Sequence, residues 1–169
     1  MLDLLPKAAR LGALLKARGE TVAVSESSSG GLVSAALLSV PGASAYFQGG
    51  AVIYTPRARA ALLGITQAEM AGLRASSEPY ARLLARTVRE RFGTSWGMAE
   101  TGAAGPSGNR YGDAAGHVCI AVSGPLERVV TIETGSADRI GNMRGFAAAL
   151  LDLLAAAMRE AGDGPAARS

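Results

Sequence analysis

The sequence predicts an α/β domain with three α/β/α layers built on a mixed, largely parallel sheet. Three observations predict it: β-rich runs alternate with helical patterns, two glycine-rich turns each follow such a run, and a long apolar helical stretch lies near the C-terminus. The 169 residues include 49% hydrophobic side chains and 22 glycines, enough for one packed core. We expect a single domain over residues 1–162 and a flexible tail over 163–169.

Each element has its own signal. Residues 2–18 carry apolar side chains at helical spacing, and Gly19 stops them. Residues 21–25 form a short β-rich run, residues 25–31 a serine and glycine turn, and residues 32–40 a helix closed by Pro41-Gly42. A strand over 45–54 contains Gly49-Gly50, read as a bulge or a close backbone approach. A helix over 57–63 ends at Gly64, and Thr66 and Glu69 have capping-box spacing for another short one. Ser76 or Ser77 caps the next, with Pro79 in its first turn and Leu83, Leu84 and Val88 inward, ending at Gly93. A buried strand over 96–100 leads into a long loop from Thr101 to Gly116. Strands 117–123 and 126–134 flank Gly124-Pro125, and a helix runs over 142–160.

Composition narrows the function classes. Net charge is +3, from 17 basic and 14 acidic residues, and the arginines are scattered through helical stretches. That reads as a solvated surface, and no nucleic-acid partner is expected. No uninterrupted apolar run reaches the roughly 20 residues that span a bilayer, and the first residues do not read as a secretory signal, so no membrane partner is expected. Cys119 is the single cysteine, which excludes an intramolecular disulfide and a cysteine zinc site and suits a reducing, cytoplasmic compartment. Neither metal nor cofactor is called for. Cys119 itself alternates with Val118 and Ile120 and reads as core, as do Trp96, Tyr46 and Phe47.

In an open α/β sheet, ligands bind beyond the carboxyl ends of the strands. Both glycine-rich turns are expected on that edge. In the first, the amides opening the next helix attract an anion, the glycines admit a ligand to the backbone, and three adjacent serines offer a nucleophile. In the second, TGAAGPSG over 101–108, backbone amides suit an oxyanion hole or a phosphate nest. We expect the two turns to meet around one small anionic molecule.

The stretches ESSSGG at 26–31, GASAYFQGGAVIY at 42–54 and TGAAGP at 101–106 resemble the CinA C-terminal domain family, which includes the nicotinamide-nucleotide amidohydrolases. Weaker agreement reaches from the first helix through Ser77-Glu78 to Arg144. The resemblance implies hydrolysis of the carboxamide of nicotinamide mononucleotide to nicotinate mononucleotide and ammonia. It implies a serine nucleophile with a lysine base and no metal. Carried onto this chain, the nucleophile is Ser27, with Tyr54, Arg59, Thr101 and Gly102 in the other catalytic positions. Glu26, Ser29, Gly30, Gly31, Ala103, Gly105, Arg110 and Arg144 fall to substrate binding, Arg144 meeting the phosphate. A homo-oligomer is also implied. The N-terminal domain of longer CinA proteins has no room in 169 residues.

The chain departs from the family at the base. Arg59 stands where the family's lysine is expected, and a guanidinium, protonated in proteins, cannot take the serine proton. Glu100 and Glu26 lie beside the turns; Glu100 is a candidate local base, and Glu26 is expected to position its loop. His117 is expected to be a strand-start histidine with ordinary hydrogen bonds. Where the family has a lysine before the next strand, Asp113 to Gly116 stand here, and Arg110 can restore positive charge. Three readings follow: an amidohydrolase impaired at its base, a related hydrolase of another amide, and a non-catalytic domain that binds a nucleotide-like anion or acts through partners. The family name refers to competence and DNA damage, but no residue here shows DNA recognition.

Overall fold

A computed structural model describes residues 2–162. The elements are α1 (Leu5–Arg18), β1 (Val22–Glu26), α2 (Leu32–Leu38), β2 (Phe47–Val52), α3 (Pro56–Leu63), α4 (Glu78–Phe92), β3 (Trp96–Ala103), β4 (His117–Ser123), β5 (Glu127–Glu133) and α5 (Arg139–Gly162), with a short 3₁₀ turn at Ala43–Ala45. The strand order is β2-β1-β3-β4-β5. β1 pairs in parallel with β2 and β3, while β4 runs antiparallel to both β3 and β5. Four of the five strands therefore point the same way, as expected.

Strand alternation divides the core into two unlike halves. Val22, Val24, Trp96, Met98, Val118, Ile120 and Val122 project to one face, beneath α1, α2 and α5. Ala23, Ala99, Cys119 and Ala121 project to the other, beneath α4. Small residues bring α4 close: a Cβ on Gly97 would lie 2.0 Å from the carbonyl oxygen of Ala85. Helix α5 has 24 residues and is long and apolar enough to cross a membrane, yet its Phe146, Leu150, Leu151 and Leu154 are buried in the first core half.

Most local signals match. Gly19, Gly64 and Gly93 adopt left-handed conformations at the ends of α1, α3 and α4. Ser77, not Ser76, caps α4, its hydroxyl accepting from the Tyr80 amide. In β2 the irregularity falls one residue before the glycine pair, where Val22 pairs with Phe47 and Ala23 with Gly49. Gly50 provides the close approach, since a Cβ there would lie 2.2 Å from Ser34 Oγ.

Three expectations are corrected. Thr66 and Glu69 form reciprocal hydrogen bonds, the Thr66 amide donating to Glu69 Oε2 at 2.8 Å, but the chain makes turns only and no helix. Gly72, at φ +77°, stops propagation after one turn. Strand β3 runs three residues beyond Glu100, because Thr101, Gly102 and Ala103 pair with Cys119, Val118 and His117. The second turn thus begins at Ala104. Helix α5 starts at Arg139 instead of Asn142. The tail expected over 163–169 lies outside the described residues.

The parallel strands β1, β2 and β3 end on one edge of the sheet, where β4 begins and β5 ends. Candidate side chains from four segments converge there.

Candidate active site

Two fully buried glutamates build the serine loop. Glu26, at the end of β1, accepts from the amides of Gly31 (3.1 Å), Val33 (3.0 Å) and Ser34 (2.9 Å) and from the hydroxyls of Ser34 and Ser29. The start of α2 is therefore filled by an internal carboxylate. This corrects the expectation that its amides await a ligand. Glu100, on β3, accepts from the amides of Ser27 (3.0 Å) and Ser29 (2.8 Å) and from the Ser29 hydroxyl (2.9 Å), and it touches the Ser28 hydroxyl. Burial pushes the Glu100 carboxyl above its usual range, against the opposing pull of the hydrogen bonds from Ser28, Ser29 and Ser27.

These tethers leave the Ser27 hydroxyl without a hydrogen-bonding partner among the described residues, on the wall of a cavity of about 620 Å³. The same cavity is lined by Tyr54, Arg59, Thr101, Gly102 and Arg110. Thr101 is buried, and its hydroxyl accepts from the Ser76 amide at 3.2 Å, joining the β3 edge to the segment before α4. A smaller cavity of about 240 Å³ adjoins it, lined by Tyr54, Gly102, Ala103 and Gly105. The two glycine-rich turns meet, as expected.

Arg59 is buried in α3, only 7% exposed, with its guanidinium 5.9 Å from the centre of the Tyr80 ring. Its Nε makes no hydrogen bond, and no carboxylate pairs with it among the described residues. Thr55 caps α3, its hydroxyl accepting from the Ala58 amide at 3.1 Å, which fixes the helix that carries Arg59.

The loop after β3 is ordered by its own polar groups. Asn109 Oδ1 accepts from the amides of Tyr111 (3.0 Å) and Asp113 (3.2 Å), while Arg74 binds Asp113 through two hydrogen bonds of 2.6 and 3.1 Å. The Asp113 carboxyl falls below its usual range, first because of the Arg74 hydrogen bond. Arg110 stacks on Tyr111, 5.0 Å from its ring centre, at the cavity wall.

Not every expected residue reaches a cavity. Glu26 and Ser29 are committed to internal hydrogen bonds, and Gly30 and Gly31 turn the chain at φ +67° and +97°. Arg144 lies outside the cavity lining, with Nη2 3.0 Å from Asp3 Oδ2. Arg139 is the α5 arginine at the site, donating to the Gly105 carbonyl at 2.6 Å. The family resemblance points to Arg144, and no motif in the sequence signals Arg139. Arg74 and Tyr80 were also missed, and nothing in their local pattern distinguishes them from other helix-flanking residues. Asn109 and Tyr111, which flank Arg110 in the long loop and are expected to be able to reshape the pocket, do line the larger cavity.

His117 offers no free nitrogen to Ser27. Its Nε2 lies 2.9 Å from the Ser76 carbonyl oxygen and its Nδ1 contacts Glu133, with Asp113 Oδ2 at 3.7 Å from Nε2. Burial alone would lower its pKa, but the Glu133 contact, the Ser76 carbonyl and the charges of Asp113 and Glu133 prevail and raise it. A raised folded-state value stabilises the fold below the ordinary histidine value of about 6.5, and that contribution is lost as pH rises through the folded value. Wild-type denaturation midpoints are expected to fall as pH rises above about 6.5, and His117→Gln should flatten the profile. Equal slopes for the two proteins would refute the assignment.

Comparison with known proteins identifies the family and the fold. The chain matches the profile of the CinA C-terminal domain over residues 5–158. It is 43% identical over 149 residues to the CinA-like protein of Anaeromyxobacter dehalogenans strain 2CP-C, covering 87% of this chain and 36% of that protein. The chain thus spans about a third of the length of that relative. Among solved structures, the competence/damage inducible protein from Agrobacterium tumefaciens superposes with a TM-score of 0.82 at 28% identity, covering 91% of this chain and 94% of that one. The competence or damage-inducible protein from Enterobacter asburiae superposes with a TM-score of 0.85 at 26% identity, covering 92% and 98%. On the profile match and these relatives, the chain belongs to the CinA C-terminal domain family.

Proposed function

We propose that this protein is an amidohydrolase of the nicotinamide-nucleotide type, slowed at its proton-transfer step. The observation that supports this reading is the unbonded Ser27 hydroxyl on the cavity wall that also carries Thr101 and Gly102. In this reading Ser27 Oγ attacks the carboxamide carbon of nicotinamide mononucleotide and ammonia leaves. Water then releases nicotinate mononucleotide. Backbone amides on the β3 edge stabilise the oxyanion, Tyr54 flanks the ring, and Arg110 meets the phosphate. A general base contributes about 10²–10⁴ in rate, so the Arg59 guanidinium in place of a base predicts slow turnover. The cytoplasm is the proposed compartment, in keeping with the buried thiol of Cys119.

A second reading, a non-catalytic receptor for a nucleotide-like anion, is favoured by Arg59 itself, which presents charge to the cavity without serving as a base. Ammonia release from nicotinamide mononucleotide, measured for the wild type and for Ser27→Ala, separates the two. Slow release that is abolished by the substitution is the expected result. Release that persists in Ser27→Ala would overturn the nucleophile assignment, and no release from either protein would favour the receptor.

A further inference from the structure

We propose that the inner part of the Ser27 cavity is a carboxylate receptor, in which Arg59 binds the carboxylate of an aromatic acid and makes the site prefer the acid to the corresponding amide. The inference deepens the proposed ligand site and rests on the cavity being one.

A buried guanidinium without a counter-charge is costly, and its stable arrangements pair it with an anion and fill its donors. Arg59 is more than nine-tenths buried, leaves Nε unpaired and has no carboxylate partner among the described residues. The protein supplies the cation and half of the surroundings, and the missing component is a planar anion that the guanidinium fork can bind with two parallel hydrogen bonds. The centre of the Tyr80 ring lies 5.9 Å from the Arg59 guanidinium, and Ile53, Met70 and Leu73 line the same cavity, an apolar surface suited to an aromatic ring. Two further arginines stand along the wall, but they differ in kind from Arg59. Arg74 is neutralised by Asp113, and Arg110 is exposed beside Tyr111. Arg110 suits a hydrated phosphate, while the buried Arg59 suits a desolvated carboxylate.

The probes are two matched pairs, nicotinate mononucleotide against nicotinamide mononucleotide and benzoate against benzamide. Each is titrated calorimetrically into the Ser27→Ala protein so that turnover does not intervene. Within each pair the acid is expected to bind at least tenfold more tightly than the amide. Arg59→Gln should bring that ratio close to one, and Arg59→Lys should restore part of it. Thermal melting of unliganded Arg59→Gln is expected to be no lower than that of the parent, because the change removes an uncompensated buried charge. Should that variant not fold, the acid-to-amide ratios of the parent and of Arg59→Lys still decide. Equal binding of acid and amide overturns this proposal alone and leaves the ligand site standing. Binding of neither overturns both. An acid preference that survives Arg59→Gln assigns the carboxylate to another cation and overturns the role of Arg59.

Discussion

Glu100→Leu is expected to cost the fold about 4 kcal/mol and to remove ligand binding, the largest effect of any single substitution at this site. The estimate follows from what the carboxylate holds. It accepts from the Ser27 and Ser29 amides and the Ser29 hydroxyl and touches the Ser28 hydroxyl, all around a fully buried side chain. Leucine accepts nothing, and each polar group left unpaired in a dry interior costs about 1–3 kcal/mol, part of which entering water recovers. Thermal unfolding should move down by about 10 °C. Glu100→Gln is the informative companion. The Ser29 hydroxyl lies 2.8 Å from Glu26 Oε2 and 2.9 Å from Glu100 Oε2, yet it has one proton to donate. Burial raises the Glu100 carboxyl above its usual range, against the opposing pull of the hydrogen bonds from Ser28, Ser29 and Ser27. A glutamine amide keeps an oxygen toward the two backbone amides and turns its nitrogen toward the Ser28 hydroxyl, so most of the pairing survives. The cost of Glu100→Gln should stay near 1 kcal/mol. The sign of the pH effect follows as well. With the folded value raised, the native state binds more protons than the unfolded chain, so stability falls as pH climbs from the ordinary carboxyl range of about 4.3 to the folded value. Glu100→Gln should lose that slope. A wild-type profile that rises through this window, and does so equally in the variant, would refute the assignment of this slope to Glu100.

The halves of the molecule were not equally legible in sequence. Strand and helix signals such as Gly19, Gly64 and the Pro79 start of α4 act locally, and the structure uses them where the pattern put them. The end of β3 was not local. Thr101-Gly102-Ala103 has the composition of a turn and becomes strand only because β4, more than a dozen residues later, pairs with it. The same holds for the serine loop. Three serines before two glycines suggested a helix start open to an anion, but Glu26 and Glu100, 74 positions apart, arrive in the interior and take those donors. Side-chain burial of that kind has no periodic signature. The placing of Ser27 and Thr101 on one cavity was legible because both turns follow strands directly, and ligands in open α/β sheets bind beyond the carboxyl ends of the strands. In α5 the family resemblance points to Arg144, whereas the structure sets Arg139 on the smaller cavity and Arg144 beside Asp3.

Gly102→Ala is expected to cost about 3 kcal/mol and to close or distort the ligand cavity, because the fold and the site share this one residue. Gly102 belongs to the β3–β4 ladder and also lines both cavities. A Cβ at this position would lie 2.3 Å from the carbonyl oxygen of His117, 2.9 Å from the Val118 Cα and 3.0 Å from the Val118 Cβ. Two of those atoms are backbone, so no rotamer change relieves the clash, and β4 must move away from β3. That motion would stretch the pairing of Thr101 and Ala103 with Cys119 and His117, and it would shift the cavity edge that faces Ser27. Gly12→Ala makes the contrast. Its new Cβ would meet the outer atoms of the Tyr46 ring at 2.9–3.1 Å, on the opposite side of the core from α4 and away from both cavities. Both variants should therefore melt earlier than the wild type, but only Gly102→Ala should weaken ligand binding beyond its loss of stability. Binding measured well below each melting temperature distinguishes them. Wild-type affinity in Gly102→Ala would mean that the strand edge yields without disturbing the wall, and the site would then depend on Ser27 and Arg59 alone.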